Sequence, residues 1–183
     1  MGEIDDWIER RAENFLKEIG IRYGDVVLDF GSGVGHYSIP LAKVVGSEGR
    51  VYALDKDDWA LKELRRIAFR KGLKNIQTIY SETKIPLEDS SVDAVLCYDV
   101  VHYERDRGKI YKEVYRVLKK DGLFSLYPKH HKEDYPLMEL ALLSLEDVIK
   151  EVEKAGFVLE EKTSKRCLHD DYMNDCQILN FKK

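Results

Sequence analysis

The sequence predicts an α/β protein with a doubly wound, mostly parallel seven-stranded sheet that has one antiparallel strand near its end. Strand-like and helix-like segments alternate along the 183 residues, as in sheets built from strand–helix–strand units. The early strands are short continuous apolar runs, which is typical of strands covered by helices on both faces. The last two strands have no helix between them, so they can pair as an antiparallel hairpin. We see no repeat or linker and expect a single domain over residues 1–183.

The first half of the chain alternates helix and strand with clear ends. Apolar residues recur at helical spacing over residues 5–19, and Gly20 ends this helix. This helix, within residues 1–20, is the N-terminal cap of the predicted domain. The next elements are a strand, a helix, a strand, a helix and a strand, over residues 25–30, 36–46, 50–54, 57–71 and 75–80.

The second half continues the pattern until its last two strands. The turn Lys120-Asp121-Gly122 separates a helix from the strand that follows, and Ser144 with Asp147 forms a capping-box start. The predicted elements are a strand, a helix, a strand, a helix and two final strands, over residues 92–97, 108–118, 123–127, 144–155, 157–162 and 175–181.

Composition excludes several classes of protein. Charged residues make up 35% of the chain, an excess typical of thermophiles, and the net charge is −4. No global basic field therefore attracts nucleic acid or an anionic membrane. The three cysteines lack CxxC spacing and their odd number argues against a disulfide framework, so we expect buried thiols in a reducing cytoplasm. The chain begins with charged residues and has no long apolar run, so we expect neither a signal peptide nor a membrane span.

Three glycines follow the first strand at the edge where doubly wound sheets bind ligands. Gly31, Gly33 and Gly35 form GxGxG, whereas dinucleotide sites need GxGxxG, and His36 stands where the last glycine would be. No basic residue near the bend can meet a phosphate, so the spacing favours a phosphate-free nucleoside. Asp55 ends the second strand, where a carboxylate can accept hydrogen bonds from both ribose hydroxyls.

Four motifs carry a resemblance to a known family. The segments VLDFGSGVGHYSIPLA, YALDKDD, VDAVLCYDVVHY and YKEVYRVLKKDGLFSLY resemble class I S-adenosylmethionine-dependent methyltransferases. The resemblance is to the branch with quinone-biosynthesis C-methyltransferases and many small-molecule methyltransferases, and it extends from about Asp25 onward. It implies a Rossmann-like fold, S-adenosyl-L-methionine as cofactor and S-adenosyl-L-homocysteine as product.

The resemblance also implies the residues that bind the cofactor. Asp29 would face the amino group of the methionine end, Asp55 would hold the ribose and Lys56 would lie beside the adenine. Glu82 would meet the adenine amino group, with Ser81 as the alternative. The implied cofactor-binding residues are Asp29, Gly31, Ser32, Gly33, Gly35, Asp55, Lys56, Ser81, Glu82 and Tyr98. Asp93 matches the family pattern as well, but it starts a strand at the far edge and is expected to be structural.

The candidate catalytic residues follow the fourth strand. Methyl transfer needs alignment and a dry site, and an oxygen or carbon acid also needs a base. The residues His102, Tyr103 and Asp99 are the catalytic candidates, although His102 either acts as a base or contacts the substrate, or only packs. Further candidate bases are His130, His131, Tyr37 and Tyr127. His169 is placed in a polar loop without a partner.

Two features near residue 130 leave alternatives open. A metal set of His130, His131 and Glu133 is conceivable, but adjacent histidines point apart, so we expect no metal site. Residues 129–143 are either a lid or core packing. Their apolar residues are Tyr135, Met138, Leu140, Leu142 and Leu143.

We therefore expect an S-adenosylmethionine-dependent methyltransferase that acts on a small molecule. A tRNA or protein methyltransferase is an alternative, but it predicts a basic surface that the net charge does not favour. A non-catalytic cofactor-binding module that acts with a partner is another. A nicotinamide-dependent oxidoreductase is disfavoured by the glycine spacing. A homo-oligomer and a partner subunit both stay open.

Overall fold

Seven strands form one sheet in the order β3-β2-β1-β4-β5-β7-β6. The computed structural model describes residues 2–132, 140 and 142–183. Strands β1 to β5 pair in parallel, and β7 pairs antiparallel with β5 and β6. The predicted sheet with one antiparallel strand near the end is confirmed. The strands are β1 (Val26–Phe30), β2 (Arg50–Asp55), β3 (Ile76–Tyr80), β4 (Val92–Tyr98), β5 (Leu118–Tyr127), β6 (Val158–His169) and β7 (Tyr172–Lys182).

Helices cover both faces of the sheet, as continuous apolar strands require. Successive residues of a strand point to opposite faces, so Val27 packs with α2 and α3 while Leu28 packs with α5 and α6. The helices are α1 (Glu3–Asp6), a π-helical turn (Trp7–Arg11), α2 (Ala12–Glu18), α3 (Ser38–Val45), α4 (Asp58–Arg70), a 3₁₀ turn (Val101–Tyr103), α5 (Arg107–Val117) and α6 (Leu145–Glu153). The described part of the chain contains no helix with the length and hydrophobicity of a membrane span.

Local signals place the ends of these elements. The predicted capping box is confirmed, because the Asp147 N–H donates to Ser144 Oγ at 3.2 Å and the Ser144 N–H donates to Asp147 Oδ2 at 3.0 Å. Asp93 is structural, as expected: its carboxylate accepts the Val26 N–H at 2.8 Å and pairs with Lys119 at 2.7 Å. These contacts tie the amino ends of β1, β4 and β5 together, away from the glycine bend.

Strand β5 differs from its predicted start. The predicted turn before residue 123 lies inside a longer strand that begins at Leu118. The register with β4 jumps from Val92 opposite Leu118 to Ala94 opposite Leu123, and Asp121 has φ +61°. A bulge therefore absorbs the turn residues while the strand continues on both sides of them.

The final hairpin is longer than predicted and carries a disulfide. Strand β6 extends to His169 and β7 begins at Tyr172, so most of the predicted polar loop is strand. Cys167 and Cys176 lie on these neighbouring strands with Cα atoms 5.9 Å apart, and their sulfurs are bonded. The expectation that these two cysteines are buried thiols was wrong, because pairing of the strands brings them together. Cys97 is the free, buried thiol in the described residues.

Candidate functional site

The glycine bend joins β1 to α3 and passes close under the 3₁₀ turn. Gly31 and Gly33 have φ values of +81° and +51°, a left-handed conformation that favours glycine. A Cβ atom added at Gly31 would overlap Val100 Cγ2, whereas one added at Gly33 would meet no atom within 4 Å. Gly31 is therefore needed for packing, and Gly33 faces open space where a ligand can approach the backbone.

Asp55 fixes the bend to the end of β2. Its Oδ2 accepts the Gly33 N–H at 2.7 Å and its Oδ1 accepts the Asp57 N–H at 2.9 Å. A carboxylate has about four acceptor positions, so two bonds to the backbone leave capacity for two ligand hydroxyls. The backbone bonds therefore hold Asp55 in place without exhausting its acceptor capacity.

A small cavity lies over the carboxyl ends of β1, β2 and β4. Its volume is about 160 Å³, and it brings together the four residues expected near an adenosine: Asp55, Lys56, Ser81 and Glu82. Phe30, Gly31, Leu54, Asp99, Val100, Tyr103 and Glu104 complete its lining. The Ser81 hydroxyl donates to the Lys84 carbonyl at 2.6 Å and keeps its acceptor lone pairs. A carboxylate such as Glu82 is the stronger acceptor for an amino group, because hydrogen bonds to charged groups are stronger.

A second cavity of about 500 Å³ lies beside the first, and Gly31 and Asp99 line both. We refer to the two cavities, at the carboxyl edge of the sheet, as the cleft. The second cavity is lined by Gly31, Ser32, Gly33, Val34, His36, Tyr37, Tyr98, Asp99, Leu168, Asp170 and Asp171, with no lysine or arginine among these described residues.

A larger cavity, of about 700 Å³, lies elsewhere. Gly46, Arg50 and Asn75 line it, near the amino ends of β2 and β3. We place the functional site at the two smaller cavities, because ligands of doubly wound sheets bind at the carboxyl ends of the strands, where the glycine bend lies.

Aromatic side chains form the wall of the second cavity. The ring of Tyr37 lies 5.4 Å from Trp7 and 5.0 Å from Tyr98, centre to centre. The Tyr37 hydroxyl donates to the Leu168 carbonyl at 2.8 Å, and the Trp7 ring nitrogen donates to the His36 carbonyl at 3.1 Å. The N-terminal helices and β6 are thereby held against the start of α3. No local pattern predicts the contact with Leu168, because it joins residues 131 positions apart.

Asp29 is a buried carboxylate beneath the glycine bend. Ser38 Oγ donates to its Oδ2 at 2.5 Å. Burial raises the pKa of Asp29 from its ordinary 3.8 to about 7, the hydrogen bond from Ser38 opposes this rise, and the negative charge of Asp55 adds to it. A cationic group of a ligand would restore the charged form. Asp29 is only 4% exposed and is not among the residues that line either cavity, so its contact with a ligand amino group stays a prediction.

Replacement of Asp29 with asparagine is expected to stabilise the ligand-free protein at high pH. The folded pKa lies above the unfolded pKa, so stability is lost as pH rises from about 4 to 7 and stays lost above 7. Asp29→Asn removes this loss, which amounts to at most about 4 kcal/mol at 1.4 kcal/mol per pKa unit. Denaturant unfolding at pH 4 and pH 8 measures it. A stability difference between variant and wild type that is equal at both pH values would contradict the assignment.

Asp99 follows β4 and lies among three buried histidines. Its Oδ1 lies 3.5 Å from His102 Nδ1 and 3.9 Å from His130 Nε2, and its Oδ2 contacts His169 Nδ1. Burial lowers the pKa of His102 to about 4; Asp99 opposes this shift and the two other histidines add to it. His102 is fully buried and lines neither cavity, so Asp99 is the member of this group that faces the cleft.

The position of His169 was predicted wrongly. It is the last residue of β6 and packs against Asp99 instead of lying in a loop without a partner. Tyr103 lines the first cavity, and its ring lies 3.8 Å from the ring of His102. Burial and the negative charge of Asp99 raise the pKa of Tyr103. The phenol of Tyr103 is therefore a hydrogen-bond donor rather than a base.

Three other candidate bases are poorly suited to act as bases in the cleft, either because of their position or because of their pKa. His131 lines a separate cavity with Ser144, so it diverges from His130. Glu133, the third residue of the metal set considered from the sequence, lies outside the described residues. Burial raises the pKa of Tyr37 well above its usual value. The Tyr127 hydroxyl accepts a hydrogen bond from Asn174 at 3.1 Å.

The segment expected as a lid is described only in part. Leu140 is buried in the core beside α6, and Leu142 is 91% exposed. Leu143 packs at the edge of the same core, and its carbonyl accepts the Lys132 N–H at 2.8 Å. Tyr135 and Met138, on which the lid hypothesis also depends, are outside the described residues.

Comparisons with known proteins agree with this geometry. A family profile described as "Methyltransferase domain" matches residues 21–172. The chain is 33% identical over 122 residues to a sterol 24-C-methyltransferase of Aspergillus fumigatus, covering 64% of this chain and 31% of that protein. It is 34% identical over 126 residues to a demethylmenaquinone methyltransferase of Lactobacillus johnsonii, covering 67% and 49%. The chain thus spans about a third to a half of the length of these relatives.

Solved structures show the same fold. A SAM-dependent methyltransferase from Aquifex aeolicus superposes with a TM-score of 0.79 at 27% identity, covering 97% of this chain and 92% of that one.

Proposed function

The chain belongs to the methyltransferase-domain family. From this premise we propose that it is an S-adenosylmethionine-dependent methyltransferase and that it methylates a small molecule bound in the second cavity. The observation that carries the proposal is the pair of neighbouring cavities, whose linings share Gly31 and Asp99. We further propose that residues 1–183 act as one methyltransferase domain.

The residues at the cleft fit S-adenosylmethionine. Asp29 is a buried carboxylate that a ligand ammonium would compensate, and the described lining of the second cavity holds no cation for a phosphate. We assign the ribose hydroxyls to Asp55 and the adenine to Glu82 and Lys56. When bound, the cofactor supplies an electrophilic methyl group on a sulfonium. Ser32, Gly33 and Tyr98 would line the methionine end.

The second cavity favours an uncharged or cationic acceptor. Asp99, Asp170 and Asp171 lie in its wall, and its described lining contains no lysine or arginine. Polyanions such as tRNA need cationic contacts to their phosphates. The rings of Tyr37 and Tyr98 give the wall an apolar part that helps to exclude water, which favours dispersal of the sulfonium charge.

The groups around Asp99 can assist an acceptor that loses a proton. Asp99 faces the cleft, and we assign acceptor contact to its carboxylate. His102, behind it, would position that carboxylate. The Tyr103 hydroxyl would donate a hydrogen bond at the junction of the two cavities. This arrangement places the acceptor-facing role on Asp99 rather than on His102.

A transfer assay tests the proposed function. The protein is incubated with methyl-labelled S-adenosylmethionine and separate pools of neutral phenols and quinols, amines, thiols, bulk tRNA and cell protein. We expect label in a low-mass neutral or cationic pool, and less of it for Asp55→Ala at subsaturating cofactor. Transfer mainly to tRNA or protein would contradict the small-molecule acceptor, and cofactor binding without any transfer would favour a non-catalytic module.

A further inference from the structure

Four ligand-type side chains converge at the acceptor end of the cleft from four separate segments. Asp99 follows β4, His102 lies on the 3₁₀ turn, His130 follows β5 and His169 ends β6. Each of the three histidines is at most 5% exposed. Imidazole and carboxylate together are ligands that suit zinc and similar first-row transition metals. The fold thus gathers a metal-type donor set that no single sequence motif contains.

The ligand atoms are slightly farther apart than the ligands of one bound ion. Asp99 Oδ1 lies 3.5 Å from His102 Nδ1 and 3.9 Å from His130 Nε2. Ligands that stand 2.0–2.1 Å from a tetrahedral zinc are about 3.3 Å apart. These three residues each offer one ligand atom, and the three atoms lie within 4.8 Å of one another. Small side-chain adjustments would therefore close the three atoms around one ion.

His102 supplies a second, independent observation. Its side chain is fully buried, and neither ring nitrogen has a hydrogen-bond partner among the described residues. Asp99 Oδ1 is likewise without a hydrogen bond there. Buried polar atoms almost always have a hydrogen-bond partner. His102 Nδ1 and Asp99 Oδ1 face each other without one in the described part of the chain, which indicates a further group that both would bind. A cation between the two atoms would satisfy both.

The backbone is also held in a rare conformation at this place. Asp99 and His130 have φ values of +61° and +67°, and Asp170 beside His169 has +48°. In the described part of the chain only five non-glycine residues have positive φ, and these are three of them. Such conformations concentrate at functional sites, where the surrounding structure holds side chains in defined directions.

We propose that Asp99, His102 and His130 bind a divalent transition metal ion, with Zn²⁺ as the reference ion. His169 contacts the other oxygen of Asp99 and would orient it from outside the ligand set, as metal-ligating carboxylates are oriented elsewhere. This set differs from His130, His131 and Glu133, because it uses only one of the two adjacent histidines. In it, His102 is a ligand.

Of this group only Asp99 lines the second cavity, so we place the open coordination position of the ion on that side. Catalytic zinc sites have three protein ligands and an open fourth position. An acceptor hydroxyl or thiol bound there would release its proton to solvent more readily, because the ion stabilises the anion. This acceptor role rests on the proposed function, whereas the metal site itself does not.

Metal titration of tag-free protein, after removal of bound metal by a chelator, tests the site. We expect one Zn²⁺ per chain by calorimetry and a tetrahedral absorption spectrum with Co²⁺. His102→Ala and His130→Ala are expected to weaken Zn²⁺ binding by more than about 100-fold, and His169→Ala by about 10- to 100-fold, the range for an outer partner. His131→Ala is the matched control, a buried neighbour that faces another cavity, and should bind as the wild type does.

Binding of S-adenosylhomocysteine by each variant shows that it is folded. His130→Ala keeps the test valid if the substitution at the fully buried His102 prevents folding. Absence of 1:1 Zn²⁺ binding by the wild type, or wild-type affinity in folded His130→Ala, would overturn the site. Zn²⁺ binding without methyl transfer would remove the proposed function and leave the site standing, whereas full transfer by metal-free protein would remove only the acceptor role.

Discussion

Gly31→Ala is expected to abolish cofactor binding and to destabilise the protein. The added Cβ overlaps Val100 Cγ2, and the φ value of +81° is strained for alanine. Overpacking and backbone strain each cost about 1–3 kcal/mol, so the combined loss is roughly 2–6 kcal/mol. Val100 lines the first cavity, and its displacement would narrow the space for the nucleoside. Thermal unfolding and titration with S-adenosylhomocysteine measure the two effects.

Two further variants separate the causes. The double variant Gly31→Ala/Val100→Ala removes the overlapping methyl group and should recover the overpacking part of the stability loss, leaving the backbone strain. Gly33→Ala meets no atom within 4 Å, so its stability loss should come from backbone strain alone. Wild-type stability and affinity in Gly31→Ala would show that the close approach to Val100 is not what holds this bend.

Alanine at Asp55 is expected to weaken binding of S-adenosylhomocysteine by about 5- to 150-fold, or 1–3 kcal/mol. The variant loses the carboxylate that we assign to the ribose hydroxyls, and hydrogen bonds to charged groups contribute energies of this size. It also frees the Gly33 N–H, which donates to Asp55 at 2.7 Å, so the bend becomes less fixed. Calorimetric titration measures the affinity. Asp55→Asn, which keeps one acceptor oxygen, should lose less.

Asp57→Ala is the matched control for Asp55. Asp57 caps α4 by accepting the N–H groups of Trp59 at 2.9 Å and Ala60 at 3.2 Å, and it does not line the cavity. Its replacement should lower stability by about 1 kcal/mol and leave the affinity unchanged. Unchanged affinity in Asp55→Ala, or an equal loss in both variants, would reject the ribose role of Asp55.

Much of the fold follows from local patterns. Continuous apolar runs predicted β1 to β4 within one or two residues, because burial on both faces leaves few other possibilities for such segments. The starts of α4 and α6 could be predicted equally well, because the side chains of Asp57 and Ser144 cap the first turn. The start of β5 was harder to predict, because the same residues can form a turn or a bulge. Only the register with β4 distinguishes the two.

The candidate site likewise has one half that could be predicted from the sequence and one half that could not. The residues of the nucleoside half lie on the glycine bend and directly after β2 and β3, so the parallel sheet brings them to one edge and their grouping could be predicted. The acceptor half depends on how far the last hairpin extends. His169 joins Asp99, and Cys167 joins Cys176, only through long-range pairing of β6 with β7. No local pattern sets that length.

The most direct test of the account is calorimetric titration of the wild-type protein with S-adenosylmethionine, S-adenosylhomocysteine and NADH. The GxGxG bend, the buried Asp29 and the fixed Asp55 predict 1:1 binding of both sulfur nucleosides and no binding of NADH. Binding of NADH, with neither sulfur nucleoside bound, would contradict the central claim that this cleft holds a nucleoside without phosphates.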